Sequence, residues 1–203
     1  KRLTTPLSSA FGNYASLLRN REFMRYTLCV SFFYVAAYAF IAGSPFVYIS
    51  YFHVDPQHYG WLFGINIIGV MGLSSINRRL VQRHPLHTLL RVAALVAALA
   101  TIVLAAGAKM HAGGMAMMVV TIFIFFSMNG IIAAASTAAA LDSVPSNMAG
   151  SASALIGSLQ YGSGIVSSLL LSAMSDGTPW TMSWIMMVFT LLSLVMVIKR
   201  KIR

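Results

Sequence analysis

The chain has 203 residues, 58% of them apolar and only 9% charged, with 14 Lys and Arg against four Asp and Glu and a formal net charge of +10. A soluble domain carries roughly 25% charged residues, so an ordinary soluble fold is excluded. The basic residues sit on alternate connections between six long apolar blocks, which argues for a lipid bilayer as partner and against nucleic acid.

Residues 1–25 are read as a cytoplasmic linker followed by an interfacial helix. Thr4, Thr5, Pro6, Ser8, Ser9 and Gly12 discourage regular structure over 1–13. From Phe11, the apolar Tyr14, Leu17, Leu18 and Phe23 with Arg19 and Arg21 fit a short helix lying on the membrane surface. The opening stretch lacks the short apolar core of a secretory signal. It starts on Lys1, as a trimmed product, a piece of a longer chain or an incomplete reading frame would.

A six-helix transmembrane bundle is predicted over 26–198, with spans at 26–51, 59–77, 88–108, 114–140, 148–173 and 180–198. Each is near the ~20 residues that cross hydrocarbon as a helix with its backbone amides satisfied. In the first span, Thr27, Ser31, Tyr34, Tyr38, Pro45 and Tyr48 fall on one helical face. That face serves either as a cavity wall for an apolar ligand or as a packed helix interface. The lone Cys29 forms no intrachain disulfide and reads as a small buried residue.

The first outer loop carries Asp55-Pro56, and Asn66 lies midway along the second span. A basic inner loop runs from Asn77 to His87. Lys109 to Gly113 forms a tight outer turn. In the fourth span Asn129, Ser136 and Thr137 must hydrogen-bond across helices or face water. In the fifth, Gly150, Ala154, Ser158 and Gly162 repeat every four residues, a small-residue stripe along which another backbone can pack, with Gly157 beside it. A second face carries Ser153, Gly157, Gln160, Gly164 and Ser168. Asp176-Gly177-Thr178-Pro179 marks a turn before the last span, and residues 199–203 form a basic tail.

Lys1, Arg2, Arg19, Arg21 and Arg25 precede the first span. Arg78, Arg79, Arg83 and Arg91 border the loop after the second, and Lys199, Arg200, Lys201 and Arg203 follow the sixth; Lys109 alone falls on the other side. The positive-inside rule then places both termini in the cytoplasm. Trp61, Trp180 and Trp184 map to outer span ends, where indole rings favour the headgroup boundary. Glu22, Asp55, Asp142 and Asp176 all lie outside the spans or at their edges, so no membrane-embedded acid is present to carry a proton. His53/His58 and His84/His87 lie in loops on opposite faces, His111 is isolated, and His84-Pro85-Leu86-His87 has no Cys or acid beside it to complete a tetrahedral metal set. Without a phosphate-binding glycine loop, a Gly-x-Ser-x-Gly elbow or a His-Glu-x-x-His helix, neither catalysis nor a cofactor is expected.

Several strings carry a family resemblance. Gly43-Ser44-Pro45-Phe46-Val47-Tyr48-Ile49 resembles the seventh transmembrane helix of the bicyclomycin/chloramphenicol-resistance (Bcr/CflA) group of drug:proton antiporters in the major facilitator superfamily. Tyr59-Gly60 through Asn66 is similar to the start of that group's eighth helix. Asn77-Arg78-Arg79-Leu80-Val81-Gln82-Arg83 resembles a degenerate copy of the superfamily's basic inner-loop motif, with Asn77 in place of the acid. Met148-Ala149-Gly150-Ser151-Ala152-Ser153-Ala154-Leu155, with Gly157, resembles the eleventh helix. The resemblance covers the second half of a twelve-span protein whose halves enclose the substrate between them.

It implies an all-α six-helix bundle equivalent to that half, in a bacterial inner membrane, forming one wall of a drug efflux cavity. Tyr34, Tyr38, Asn66 and Gln160 are the expected contacts for a small amphipathic drug. Arg79 and Arg83 are expected to gate the cytoplasmic mouth, and Gly150, Ala154, Gly157, Ser158 and Gly162 to pack helices. The expected protein partner is an N-terminal six-helix half or a second copy. A non-transporting assembly protein and a six-span homodimeric transporter remain the alternatives.

Overall fold

The computed structural model describes residues 7–198, with side chains from Gly12 onward. The basic residues at 1–2 and 199–203, and the stretch through Pro6, lie outside the described residues. Helix α1 spans Leu7–Arg19, beginning four residues before Phe11, where sequence placed it. Ser8, Ser9 and Gly12 are weak breakers, costing at most about 1 kcal/mol each relative to Ala. Docking the helix offsets this: Leu17 is buried with Phe23, Val30, Ala152 and Ile156.

Among the described residues, six helices are long and apolar enough to cross a membrane. They are α2 (Arg21–Pro45, continued by a π-helical turn Phe46–Tyr51), α3 (Pro56–Leu80), α4 (Leu86–Met110), α5 (Gly114–Asp142), α6 (Ala149–Met174, preceded by a 3-10 turn at Ser146–Met148) and α7 (Pro179–Ile198). Asn20 caps α2, its side-chain oxygen accepting from Glu22 N and Phe23 N, both at 3.1 Å. Its amide also donates to Ser143 O at 3.0 Å, tying the start of α2 to the end of α5. Asp55 caps α3 through Gln57 N at 2.8 Å, with Pro56 in the first turn. Between α4 and α5 the chain reverses through His111, Gly113 and Gly114, all at positive φ.

α2, α5, α4 and α7 close a ring in which each packs against the next, while α3 packs mainly on α5 and α6 mainly on α2. Burial follows this arrangement. In the most apolar window of each span, 44–61% of residues are buried in the four ring helices, against 6% in α3 and 17% in α6. The ring core is aromatic: Phe33 stacks on Phe125 at 4.7 Å, and Phe40 meets Phe126 edge-on at 5.0 Å and Phe63 at 5.8 Å. Serine hydroxyls bond it across helices, Ser193 Oγ to Cys29 O at 2.7 Å and Ser167 Oγ to Val35 O at 2.6 Å.

At the end of α7, Arg25 donates through Nε to Met196 O and through Nη2 to Val197 O at 2.7 Å, and Arg91 Nε reaches the same Val197 O at 3.3 Å. Two cations thus meet at the carbonyls of the last described turn of α7. On the opposite side, Lys109 Nζ lies 5.0 Å from the centre of the Trp180 ring. Trp61 is 80% exposed, as an interfacial anchor would be.

Candidate functional site

Pro45 has no N–H, so the ladder of α2 loses a bond there, and the chain continues in the wider π turn, with Phe52 N bonding Val47 O at 3.1 Å. The polar face expected along the first span is therefore divided. Thr27, Ser31 and Tyr48 are buried, Tyr48 against Phe40 and Tyr59, while Tyr34 and Tyr38 are half-buried and Pro45 is exposed. The packed interface holds for the buried part of the face, and Tyr34 and Tyr38 are left only half-covered.

Tyr34 lies 6.0 Å from Tyr38 and 6.4 Å from Tyr161 of α6, ring centre to ring centre. Tyr38 rests on Gly164, where an added Cβ would stand 3.4 Å from the ring. Gln160 is half-buried one turn before Gly164 on the same side of α6. Tyr161, 68% exposed, extends this cluster; sequence reading passed over it, although it directly follows Gln160.

Asn66 sits elsewhere. It lines a groove of about 220 Å³ with Asn129 of α5, walled by Phe40, Phe63, Phe126 and Ile41. Asn66 is 4% exposed, and its Nδ2 bonds back to Leu62 O at 3.2 Å. The Oδ1 atoms of Asn66 and Asn129 are buried without a hydrogen-bond partner among the described residues. Unpaired amide oxygens at such depth carry a desolvation cost. The four expected contacts thus form two sites flanking α2, joined along its face by Tyr38 and Ile41, three residues apart.

The small-residue stripe is corrected by its surroundings. Nothing lies within 4 Å of a Cβ added at Gly150, Gly157 or Gly162, and Ala154 and Ser158 are exposed. The stripe points away from the buried Ala152, Ile156, Ser163 and Ser167, so it packs no helix of this bundle. Close packing lies instead where α3 crosses α5. A Cβ on Gly130 would meet Ser74 Oγ at 2.6 Å and Val70 O at 2.9 Å, and one on Gly69 would strike Phe123 Cε2 at 2.8 Å. Gly69 follows Asn66 by three residues and Gly130 follows Asn129 directly, so the signal stood beside residues already singled out. Asn77, the substituted acid of the inner-loop string, is buried and donates to Gly130 O at 3.4 Å. Arg79 and Arg83 are exposed around a shallow hollow with Ile76, Leu80 and Gln82.

The sequence profile of the Major Facilitator Superfamily matches residues 2–168. The chain belongs to this superfamily. It is a multi-pass membrane protein of a transporter family, and its bundle corresponds to half of the major facilitator fold. It is 35% identical over 159 residues to an uncharacterized MFS-type transporter, YdgK, of Bacillus subtilis, covering 78% of this chain and 39% of that one. It is 29% identical over 177 residues to a bicyclomycin resistance protein homolog of Haemophilus influenzae, covering 87% of this chain and 44% of that one. This major facilitator chain therefore spans less than half the length of these curated relatives.

Proposed function

We propose that the chain works as the C-terminal six-helix half of a drug:proton antiporter in a bacterial inner membrane, both termini cytoplasmic, paired with an N-terminal half. The observation that carries this reading is the uncovered face of α3, α2 and α6. Polar groups that a lipid-facing surface avoids, the amide oxygens of Asn66 and Asn129, lie buried just behind it, and the Tyr34–Tyr38–Tyr161 cluster opens onto it. A second bundle over this face would enclose a cavity with aromatic walls and few polar contacts, suited to small amphipathic drugs. Tyr34, Tyr38 and Gln160 form one subsite, Asn66 the other, and the stripe on α6 receives the second bundle. Arg79 and Arg83 act at the cytoplasmic mouth. The proton carrier belongs to the partner half, because the acids here are Glu22 in the first turn of α2, Asp55 capping α3, Asp142 ending α5 and Asp176 before α7.

The test is drug-dependent proton movement in proteoliposomes. The purified chain alone should give none, and co-reconstitution with a six-span N-terminal half should restore it. Tyr38→Ala or Gln160→Ala should then shift drug preference by about tenfold, the loss of one good contact, while folded yield stays unchanged. Robust antiport by the chain alone would overturn the pairing and leave a homodimer.

A further inference from the structure

We infer that the corner formed by α2, α4 and α7 at their cytoplasmic ends is a binding site for the phosphodiester headgroup of an anionic phospholipid. Two guanidinium groups converge there on one carbonyl oxygen, Arg25 Nη2 at 2.7 Å and Arg91 Nε at 3.3 Å from Val197 O. A backbone carbonyl is a neutral acceptor, against two full positive charges. Each guanidinium carries five N–H donors. Arg25 spends two on Met196 O and Val197 O and Arg91 spends one, so among the described residues both keep donors to spare in a planar fork that matches phosphate oxygens.

The surroundings favour a lipid over a soluble anion. Both arginines stand at the boundary of the apolar spans, Arg25 in the second turn of α2 and Arg91 in the second turn of α4. Below Arg91, Leu95, Leu99 and Ile102 continue along the same face of α4 and are exposed, as are Val195 and Ile198 on the adjacent α7. An acyl chain would lie along these side chains once the phosphate is held above them. The inference rests on the proposed transporter topology only for the side of the membrane. Its test uses no transport, so either reading can fail alone.

Native mass spectrometry of the chain purified in mild detergent, with phosphatidylglycerol or phosphatidylcholine added, reads the site. The expected result is preferential retention of one phosphatidylglycerol. Arg91→Gln should lower that retention about tenfold, the effect of losing a charge-assisted contact. Arg91→Lys, which keeps a cation at the end of α7, should fall between. Arg78→Gln, at the exposed end of α3, should change nothing. Equal retention of the two lipids by the unsubstituted chain would overturn the proposal whatever the variants do. So would an equal loss on Arg78→Gln, or displacement of the lipid by excess inorganic phosphate.

Discussion

A methyl group on Gly130 would press on Val70 O and on Ser74 N, 2.8 Å away, both backbone atoms that cannot swing aside. Gly130→Ala should therefore cost about 1–3 kcal/mol, the usual penalty of overpacking a filled site. Gly157→Leu, facing open space, should change the stability of this bundle by no more than about 0.5 kcal/mol. Thermal unfolding in detergent compares them, and equal losses would reject the assignment of the crossing. Asp176 makes a second residue-scale case. Desolvation raises its carboxyl, but Thr178 N, Thr178 Oγ1 and Thr181 Oγ1 donate to it at 2.8–2.9 Å, and the net shift is downward. A carboxyl with a lowered folded pKa stabilises above its unfolded value, about 3.9, and loses that contribution as pH falls through the folded one. The Tm gap between the wild type and Asp176→Asn should be full near pH 5 and close as the medium is acidified below pH 4. A gap that stays constant would show that the Thr178–Thr181 turn is indifferent to the charge.

Along α2, the Pro45–π segment sets the outer end out of phase with the rest. Single cysteines placed from 30 to 51 in a Cys29→Ser background should label with a helical period up to residue 44 and then slip by one position, with Tyr48 protected although it belongs to the stripe of Tyr34 and Tyr38. An unbroken period through 51 would remove the π turn. The face divides at Tyr48, buried where Tyr34 and Tyr38 are half-buried: Pro45 was visible in sequence, but not the π turn that follows it. The spans were legible because lipid enforces length and apolarity together, and four of the apolar blocks open at a cap or proline: Asn20, Asp55-Pro56, Pro85 and Pro179. Partner choice was not legible. A small-residue repeat marks where a backbone can approach, and on α6 it lies bare, whereas single glycines at 69 and 130 make the contact. The Arg25–Arg91 clamp was hidden for a similar reason. Both residues were counted as topology signals, and nothing in their spacing indicates that they meet at Val197.

For the whole molecule, a reporter active only outside the cytoplasm should give strong signal when fused near Gly113 and none when fused after Arg203; the reverse would invert the proposed orientation. The four-helix ring also divides labour within the chain. Its members are held by packed aromatic rings and the Ser193–Cys29 bond, and packed cores switch between discrete arrangements without bending continuously. α3 and α6 each lean mainly on one ring helix and leave their outer flanks bare. A re-angling of either, like a shutter on a fixed frame, would put most of its shear on one seam and leave the frame its contacts. A cavity on that side could change width, and so admit cargoes of different girth, without any remodelling of the hydrophobic interior that keeps the protein folded.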